Sequence, residues 1–265
     1  MCTNRTPGVR RIPRESRVTG SEQTVGLTGV SPSVVLVPGA PVLVPELGGS
    51  AAAETATQVD EICRMLGDAA DEADARRILV LGHDPAARTI GDVRSSLARW
   101  GVGVPVGRPI APPAADHDRL PDAMLVAWWL LDQAGLDIPR TFSGITGDLS
   151  DPTRPADAEL VVVVAADGPA SLTPRAPVPE DPRGLALDGQ LADWLTEAGD
   201  LPDPGAPTAA EVGWWSRPVW RVLETLVAGR RARRALSWAP FGVGYHSAWW
   251  AAAPEQITAS GGDES

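Results

Sequence analysis

The sequence has little of several residue types on which many functional sites depend. Its 265 residues include no lysine, two cysteines, three histidines and one tyrosine. Without lysine there is no G-x-x-x-x-G-K-[ST] phosphate-binding loop. With only Cys2 and Cys63, neither a disulfide framework nor a paired C-x-x-C zinc site is expected. The G-x-S-x-G elbow of serine hydrolases and the H-E-x-x-H zinc motif are also missing from the sequence.

Excess positive charge and long apolar runs are missing as well. The formal net charge is -11, and an acidic surface repels phosphate backbones, so neither nucleic acid nor an anionic membrane is expected as a partner. No stretch reaches the ~20 apolar residues that a transmembrane helix needs. No apolar block of signal-peptide type follows the N-terminal arginines. Together with the scarce cysteines, these features predict a cytoplasmic protein; they leave open whether it forms a homo-oligomer.

The residues that are present favour one globular α/β domain. Hydrophobic residues make up 43% of the chain, which argues against wholesale disorder. Short β-branched runs at residues 34–37, 78–81 and 160–164 predict buried strands. Helical patterns lie between them, so we expect a central, mostly parallel or mixed sheet with helices on both faces. The domain is predicted to span residues 34–253, with a disordered extension at 1–33 and a flexible tail at 254–265.

Three helices stand out in the apolar pattern. Residues 59–66 place apolar side chains at i, i+3, i+4 and i+7, which predicts one buried stripe. Residues 121–135 are apolar on nearly all sides, so that helix should be deeply buried. Thr208 and Glu211 have the spacing of a capping box. The apolar pattern that follows predicts a long helix, kinked at Pro218.

A candidate site follows from the strand ends. In open α/β sheets, ligands bind beyond the carboxyl ends of the strands. Here Gly39, His83 and Asp167 follow the three predicted strands, and His246 lies in a C-terminal segment of similar character. With Asp84 beside His83, we therefore expect a single hollow that brings together two histidines and two carboxylates.

Two motifs carry a resemblance to a known family. Residues 37–46, VPGAPVLVPE, resemble the PH-x-P-x-LVPE opening of the subunit-B-type (LigB-like) class III extradiol ring-cleavage dioxygenases. Residues 238–246, WAPFGVGYH, are similar to the APYGVGYH ending of actinobacterial proteins of that type. The resemblance runs from about residue 34 to residue 250, and it implies a LigB-like α/β fold.

The resemblance also implies a chemistry. Such enzymes hold a non-heme Fe(II) with two histidines and one carboxylate, and leave open positions for a catecholic aromatic substrate and O₂. On this basis His83 would be a metal ligand, and Asp167 and His246 would be catalytic residues nearby. The chain departs from the pattern at two places: Gly39 stands where the opening motif has a metal histidine, and Leu172 stands where the central turn has an acid/base histidine.

These departures keep other functions open. One is a non-catalytic LigB-like scaffold or small-molecule binding protein that has lost the metal and uses no cofactor. Another is a different metal-dependent activity that uses His83, His246 and a carboxylate.

Each candidate residue also has a purely structural interpretation. His83 could be a loop histidine that caps a strand end, and Asp167 with Gly168 could form a turn. His246 could be a packed, hydrogen-bonded core residue. The ten tryptophans could line an aromatic-binding cavity or fill the core.

Overall fold

The computed structural model describes residues 30–147, 158–197 and 199–254. Its strands are β1 Val30–Ser31, β2 Ser33–Val37, β3 Arg77–His83, β4 Thr89–Ile90, β5 Ser95–Ser96, β6 Pro105–Val106, β7 Arg140–Ile145, β8 Leu160–Ala165, β9 Arg234–Trp238, β10 Tyr245–Trp250 and β11 Ala253–Pro254. Its α-helices are α1 Pro45–Gly48, α2 Ala56–Glu72, α3 Asp122–Gln133, α4 Pro182–Thr196, α5 Ala206–Glu211 and α6 Arg217–Val227. Short 3₁₀ turns fill several of the connections.

Seven strands form one mixed sheet in the order β4-β7-β3-β8-β2-β10-β9. The four strands β7, β3, β8 and β2 run parallel, while β4, β10 and β9 are each antiparallel to an inner neighbour. Val37 of β2 and Gly82 of β3 both lie opposite Ala165 of β8, so the three strands end at the same level. The predicted α/β class, with a single domain and a mixed sheet, is confirmed.

Helices cover both faces of this sheet, as the apolar strands require. In β2, Val35 and Val37 enter the core under α2 and α3, while Val34 and Leu36 enter the core under α4 and α6. Every residue of β8 is buried in the same two-sided way. A strand that packs on both faces has a continuous run of apolar residues.

The α3 helix is as deeply buried as its composition predicts, with all residues from Met124 to Leu131 covered. It also supplies hydrogen-bond acceptors to one buried charge, the guanidinium of Arg140. Arg140, only 1% exposed, donates hydrogen bonds to Asp132 Oδ1 at 2.8 Å and to the carbonyl oxygen of Leu136 at 2.7 Å. Buried guanidinium groups need such partners, because an unpaired buried charge is costly.

The predicted long helix with a kink at Pro218 is wrong. The chain instead forms two helices, α5 and α6, with Gly213 at a φ of 71° between them. Pro218 lies in the first turn of α6, where a missing backbone N–H costs nothing. Thr208 falls inside α5, whose N-cap is Gly205, so the capping box does not form either.

A two-stranded sheet lies at the two ends of the described chain. Val30 and Ser31 form β1 and pair with β11 at Ala253 and Pro254. The predicted disorder of residues 1–29 and flexibility of residues 255–265 lie outside the described residues. Within residues 30–254, wherever the structure describes the chain, no helix is both long and apolar enough to cross a bilayer.

Candidate functional site

A cavity of about 440 Å³ opens where the carboxyl ends of β2, β3 and β8 meet. Gly39 after β2, His83 at the end of β3 and Asp167 after β8 all line it. The fold therefore brings three of the four predicted strand-end positions to one hollow. We call this hollow the Asp167 cavity.

Other elements complete the walls of the Asp167 cavity. Ala123 comes from the first turn of α3, Trp215 and Ser216 from the link between α5 and α6, and Tyr245 from the start of β10. Trp215 is 58% exposed, an unusual position for an indole. Proline, valine and alanine side chains make up most of the remaining lining. The cavity is thus apolar with a few polar groups, which is the usual composition of a ligand pocket.

Asp167 is the principal ionisable group of the cavity. Its Oδ1 accepts a hydrogen bond from the backbone N–H of Gly39 at 3.0 Å, and its carbonyl oxygen accepts one from Trp220 Nε1 at 2.9 Å. Ser216 Oγ donates to the same carbonyl oxygen. Burial raises the pKa of Asp167 to about 6, although the Gly39 N–H acts in the opposite direction. Asp167 forms no ion pair with any arginine in the described part of the chain.

Two further polar side chains face the same space. The His83 ring lines the cavity, and its Nδ1 is buried without a hydrogen-bond partner among the described residues. Burial, and then the nearby Asp167 charge, raise the pKa of Tyr245, so its phenol stays neutral. Both side chains can donate hydrogen bonds to a ligand.

Asp84 has a structural role. Its carboxylate accepts hydrogen bonds from Arg88 Nε at 2.8 Å and from the backbone N–H groups of Ala86 and Arg88. The hydrogen bond from Arg88 holds the pKa of Asp84 below its ordinary value. This pattern is that of an Asp-initiated turn, so the Asp84 carboxylate stabilises the loop that follows β3.

His246 lies behind the wall of the cavity and does not line it. It is fully buried on β10, with Nε2 3.0 Å from Asp188 Oδ1 and Nδ1 2.8 Å from Ser237 Oγ. The edge of its ring meets Trp220, with centroids 5.5 Å apart. Gly168 separates it from the cavity, since a Cβ on Gly168 would lie 3.0 Å from His246 Nε2.

The described residues do not supply the ligand set of the expected iron centre. Among the residues that the structure describes, no group of three or more His, Cys, Asp or Glu side chains could hold a metal ion. Gly39 does lie at the cavity, where the resemblance places a metal histidine, but glycine offers no ligand. Leu172, in place of the acid/base histidine, is buried. The residues present do not fit an Fe(II) site, and the interpretation as a non-heme iron, metal-binding dioxygenase is wrong.

A second cavity, of about 550 Å³, lies at the opposite end of the sheet, where β7 begins. Two of its three lining arginines are matched by carboxylates. Arg108 pairs with Asp92 and Asp137, and Arg140 pairs with Asp132. These charges stabilise the fold locally, and we assign the candidate site to the Asp167 cavity.

Fold and site together define an α/β protein with a ligand-sized cavity and no metal cluster among its described residues. No protein-family model matches the chain. Over 135 residues it is 33% identical to a protein of Mycolicibacterium smegmatis named as a putative ESX-1 scaffolding and assembly protein, SaeB. The match covers 48% of this chain, and it spans only 16% of that relative's length.

This relative corrects the functional expectation drawn from the two terminal motifs. It is named for scaffolding and assembly, and its name makes no reference to ring cleavage. The interpretation as a class III extradiol dioxygenase is therefore wrong, and nothing supports the expected aromatic substrate and O₂. The individual roles of His83, Asp167 and His246 stay predictions. The sequence offered the tryptophans as possible cavity lining without singling out Trp215, and it missed Ser216, Asp188 and Ser237, which carry no local motif.

Proposed function

We propose that this chain is a protein-binding module that helps to assemble a larger complex, and that the Asp167 cavity receives a basic side chain of the partner. The observation that carries the proposal is the state of Asp167. Its carboxyl is half-buried, one oxygen is held by Gly39 N–H, and no cation within the described residues accompanies it.

The energetics of that carboxyl favour a cationic occupant. A buried carboxylate without a counter-charge is destabilised, which is why the pKa of Asp167 is raised to about 6. An arginine or lysine side chain in the cavity would supply the missing charge and donate to the open Oδ2. Charge-assisted hydrogen bonds of this kind are roughly twice as strong as neutral ones.

Trp215 supports a protein partner. It lies at the cavity and is 58% exposed. Exposed tryptophans next to a pocket are typical of the few residues that dominate protein interfaces. The net charge of -11 also favours a basic partner, because complementary charge steers association.

The relative from Mycolicibacterium smegmatis supports the class of function. Its name describes scaffolding and assembly, which are roles that depend on protein partners. Because the chain spans about a sixth of that protein's length, we infer the class alone. A cytoplasmic location and self-association remain predictions of the sequence.

Selection from a random displayed-peptide library tests the proposal. The full chain serves as bait, and the enriched peptides are then measured by fluorescence anisotropy. We expect them to carry arginine or lysine beside apolar residues, and to lose at least about tenfold in affinity, or about 1.4 kcal/mol, on Asp167→Asn. Peptides without a basic residue, or peptides that bind the variant equally well, would contradict the proposal.

A further inference from the structure

Three side chains outside the Asp167 cavity are hydrogen-bonded in series. Ser237 Oγ lies 2.8 Å from His246 Nδ1, and His246 Nε2 lies 3.0 Å from Asp188 Oδ1. Ser237 is exposed, while His246 is fully buried. We call this series the Ser237 relay.

The fold assembles the relay from three elements. Ser237 and His246 are direct cross-strand partners in the antiparallel pair β9 and β10. Asp188 comes from α4, which packs against the same face. Two glycines leave room for the contact: a Cβ on Gly244 would lie 1.8 Å from Asp188 Oδ1, and one on Gly168 would lie 3.2 Å from it.

The hydrogen bonds set the state of the imidazole. A carboxylate only accepts, so Asp188 receives the N–H of Nε2 when the ring is neutral. The lone pair of Nδ1 then faces the Ser237 hydroxyl and can take its proton. The Trp220 ring packs against the imidazole at a near-perpendicular angle, with the two centroids 5.5 Å apart. A base oriented by a third group and bonded to a hydroxyl is the arrangement of a Ser-His-Asp triad, which is recognised by geometry and not by sequence motif.

We propose that Ser237 is an activated nucleophile that hydrolyses acyl esters. Ser237 Oγ bonds to the ester carbonyl carbon while its proton passes to His246 Nδ1. The alkoxide leaves as the carbon–oxygen bond breaks, and it takes that proton. Water then attacks the acyl-serine with His246 as base, which releases the acid and restores the hydroxyl.

The position of β9 suits an extended substrate. It is the outer strand of the seven-stranded sheet, and an edge strand presents unpaired backbone N–H groups. One of these groups can donate to the acyl oxygen as negative charge develops there. The relay is separate from the Asp167 cavity, so this proposal does not depend on the proposed function.

A fluorophosphonate probe tests the nucleophile on the full chain. We expect covalent labelling that peptide mass spectrometry locates at Ser237, and turnover of p-nitrophenyl acetate. Ser237→Ala should lose both signals, whereas Ser96→Ala, on the short strand β5, should keep both. Absence of an adduct at Ser237 would overturn the proposal.

Asp188→Asn tests whether Ser237 reacts because the relay activates it or merely because it is exposed. The amide preserves the size of the side chain and can still accept from Nε2, but it removes the charge that favours proton transfer to His246. The labelling rate should fall at least tenfold while circular dichroism stays unchanged. Unchanged labelling of a folded Asp188→Asn variant would mean that Ser237 is not activated by the relay, and the proposal would fail.

Discussion

The backbone N–H of Gly39 donates a hydrogen bond to Oδ1 of Asp167 at 3.0 Å, across 128 residues of sequence. It ties the end of β2 to the end of β8 and holds one carboxyl oxygen in place. The Gly39 N–H does not reach the other oxygen, Oδ2, which forms no ion pair with an arginine in the described part of the chain. A Cβ on Gly39 would lie 3.8 Å from that oxygen, so glycine keeps the approach to it open.

Gly39→Ala should weaken ligand binding without unfolding the protein. The new methyl would meet Ala123 at 3.5 Å and Asp167 Oδ2 at 3.8 Å, which are ordinary van der Waals distances. It would also occupy space in the cavity beside the carboxyl. We expect the midpoint of thermal unfolding to stay nearly unchanged, while affinity for a selected basic peptide falls several-fold. Gly91→Ala, where a Cβ meets nothing within 4 Å, is the matched control and should change neither quantity.

Affinity for a basic peptide should depend on pH through Asp167. The raised pKa of about 6 means that the carboxyl is ionised at pH 8 and mostly protonated at pH 5. An arginine side chain stays charged over this range, so only the carboxyl titrates. Anisotropy measurements should show affinity about tenfold lower at pH 5 than at pH 8. In Asp167→Asn this difference should largely disappear, and a wild-type affinity independent of pH would contradict the assignment.

Asp167 should also make stability depend on pH, with a definite sign. Burial raises its pKa from the ordinary 3.8 to about 6, so the folded state holds this proton more tightly than the unfolded chain does. The stabilisation that this bound proton gives to the folded state is fully present below about pH 4, and it is lost as the pH rises through 6. Relative to Asp167→Asn, the wild type should lose up to about 3 kcal/mol between pH 4 and pH 7. Urea unfolding of both proteins measures this difference, and a constant difference would refute the prediction.

Trp215→Ala should reduce peptide affinity at least tenfold, because truncating an interface tryptophan commonly costs about 2 kcal/mol or more. Leu185→Ala is a matched control, since Leu185 is 59% exposed and does not line the cavity. Isothermal titration calorimetry with the same peptide measures both variants. Equal losses in the two variants would point to a general loss of apolar surface, not to a contact at the cavity.

Arg140→Met should destabilise the fold by about 3–5 kcal/mol in urea unfolding. The change removes the partner of Asp132, whose pKa burial already raises, and leaves the carbonyl oxygen of Leu136 without its donor. Asp132→Asn added to Arg140→Met should recover part of the loss. A single-variant loss below about 1 kcal/mol would show that the pair contributes little.

The sequence predicts the strands that have a continuous apolar run, and it misses those that have none, even β10, which is buried throughout. The runs that become β2, β3 and β8 are apolar because helices cover both sides of them. β7 contains Arg140, Thr141 and Ser143 and has no apolar run. β9 and β10 interrupt their apolar residues with Ser237 and His246, which pair with each other across the strands.

The candidate site was predictable where it follows from the general geometry of parallel sheets. His83 and Asp167 lie at or just beyond the carboxyl ends of inner strands, so their meeting at one edge follows from strand direction. His246 reaches the same level because β10 is antiparallel to β2, but its side chain points away from the cavity, into the core. Asp188 is one of 34 acidic residues, and only the packing of α4 against the sheet distinguishes it.

A double-mutant cycle tests most directly whether Asp167 binds a basic side chain of a partner. It combines Asp167→Asn with a peptide in which the selected arginine is replaced by citrulline, which has similar shape and no charge. We predict a coupling energy of at least about 1 kcal/mol between the two changes. Additive effects, with no coupling, would contradict the account.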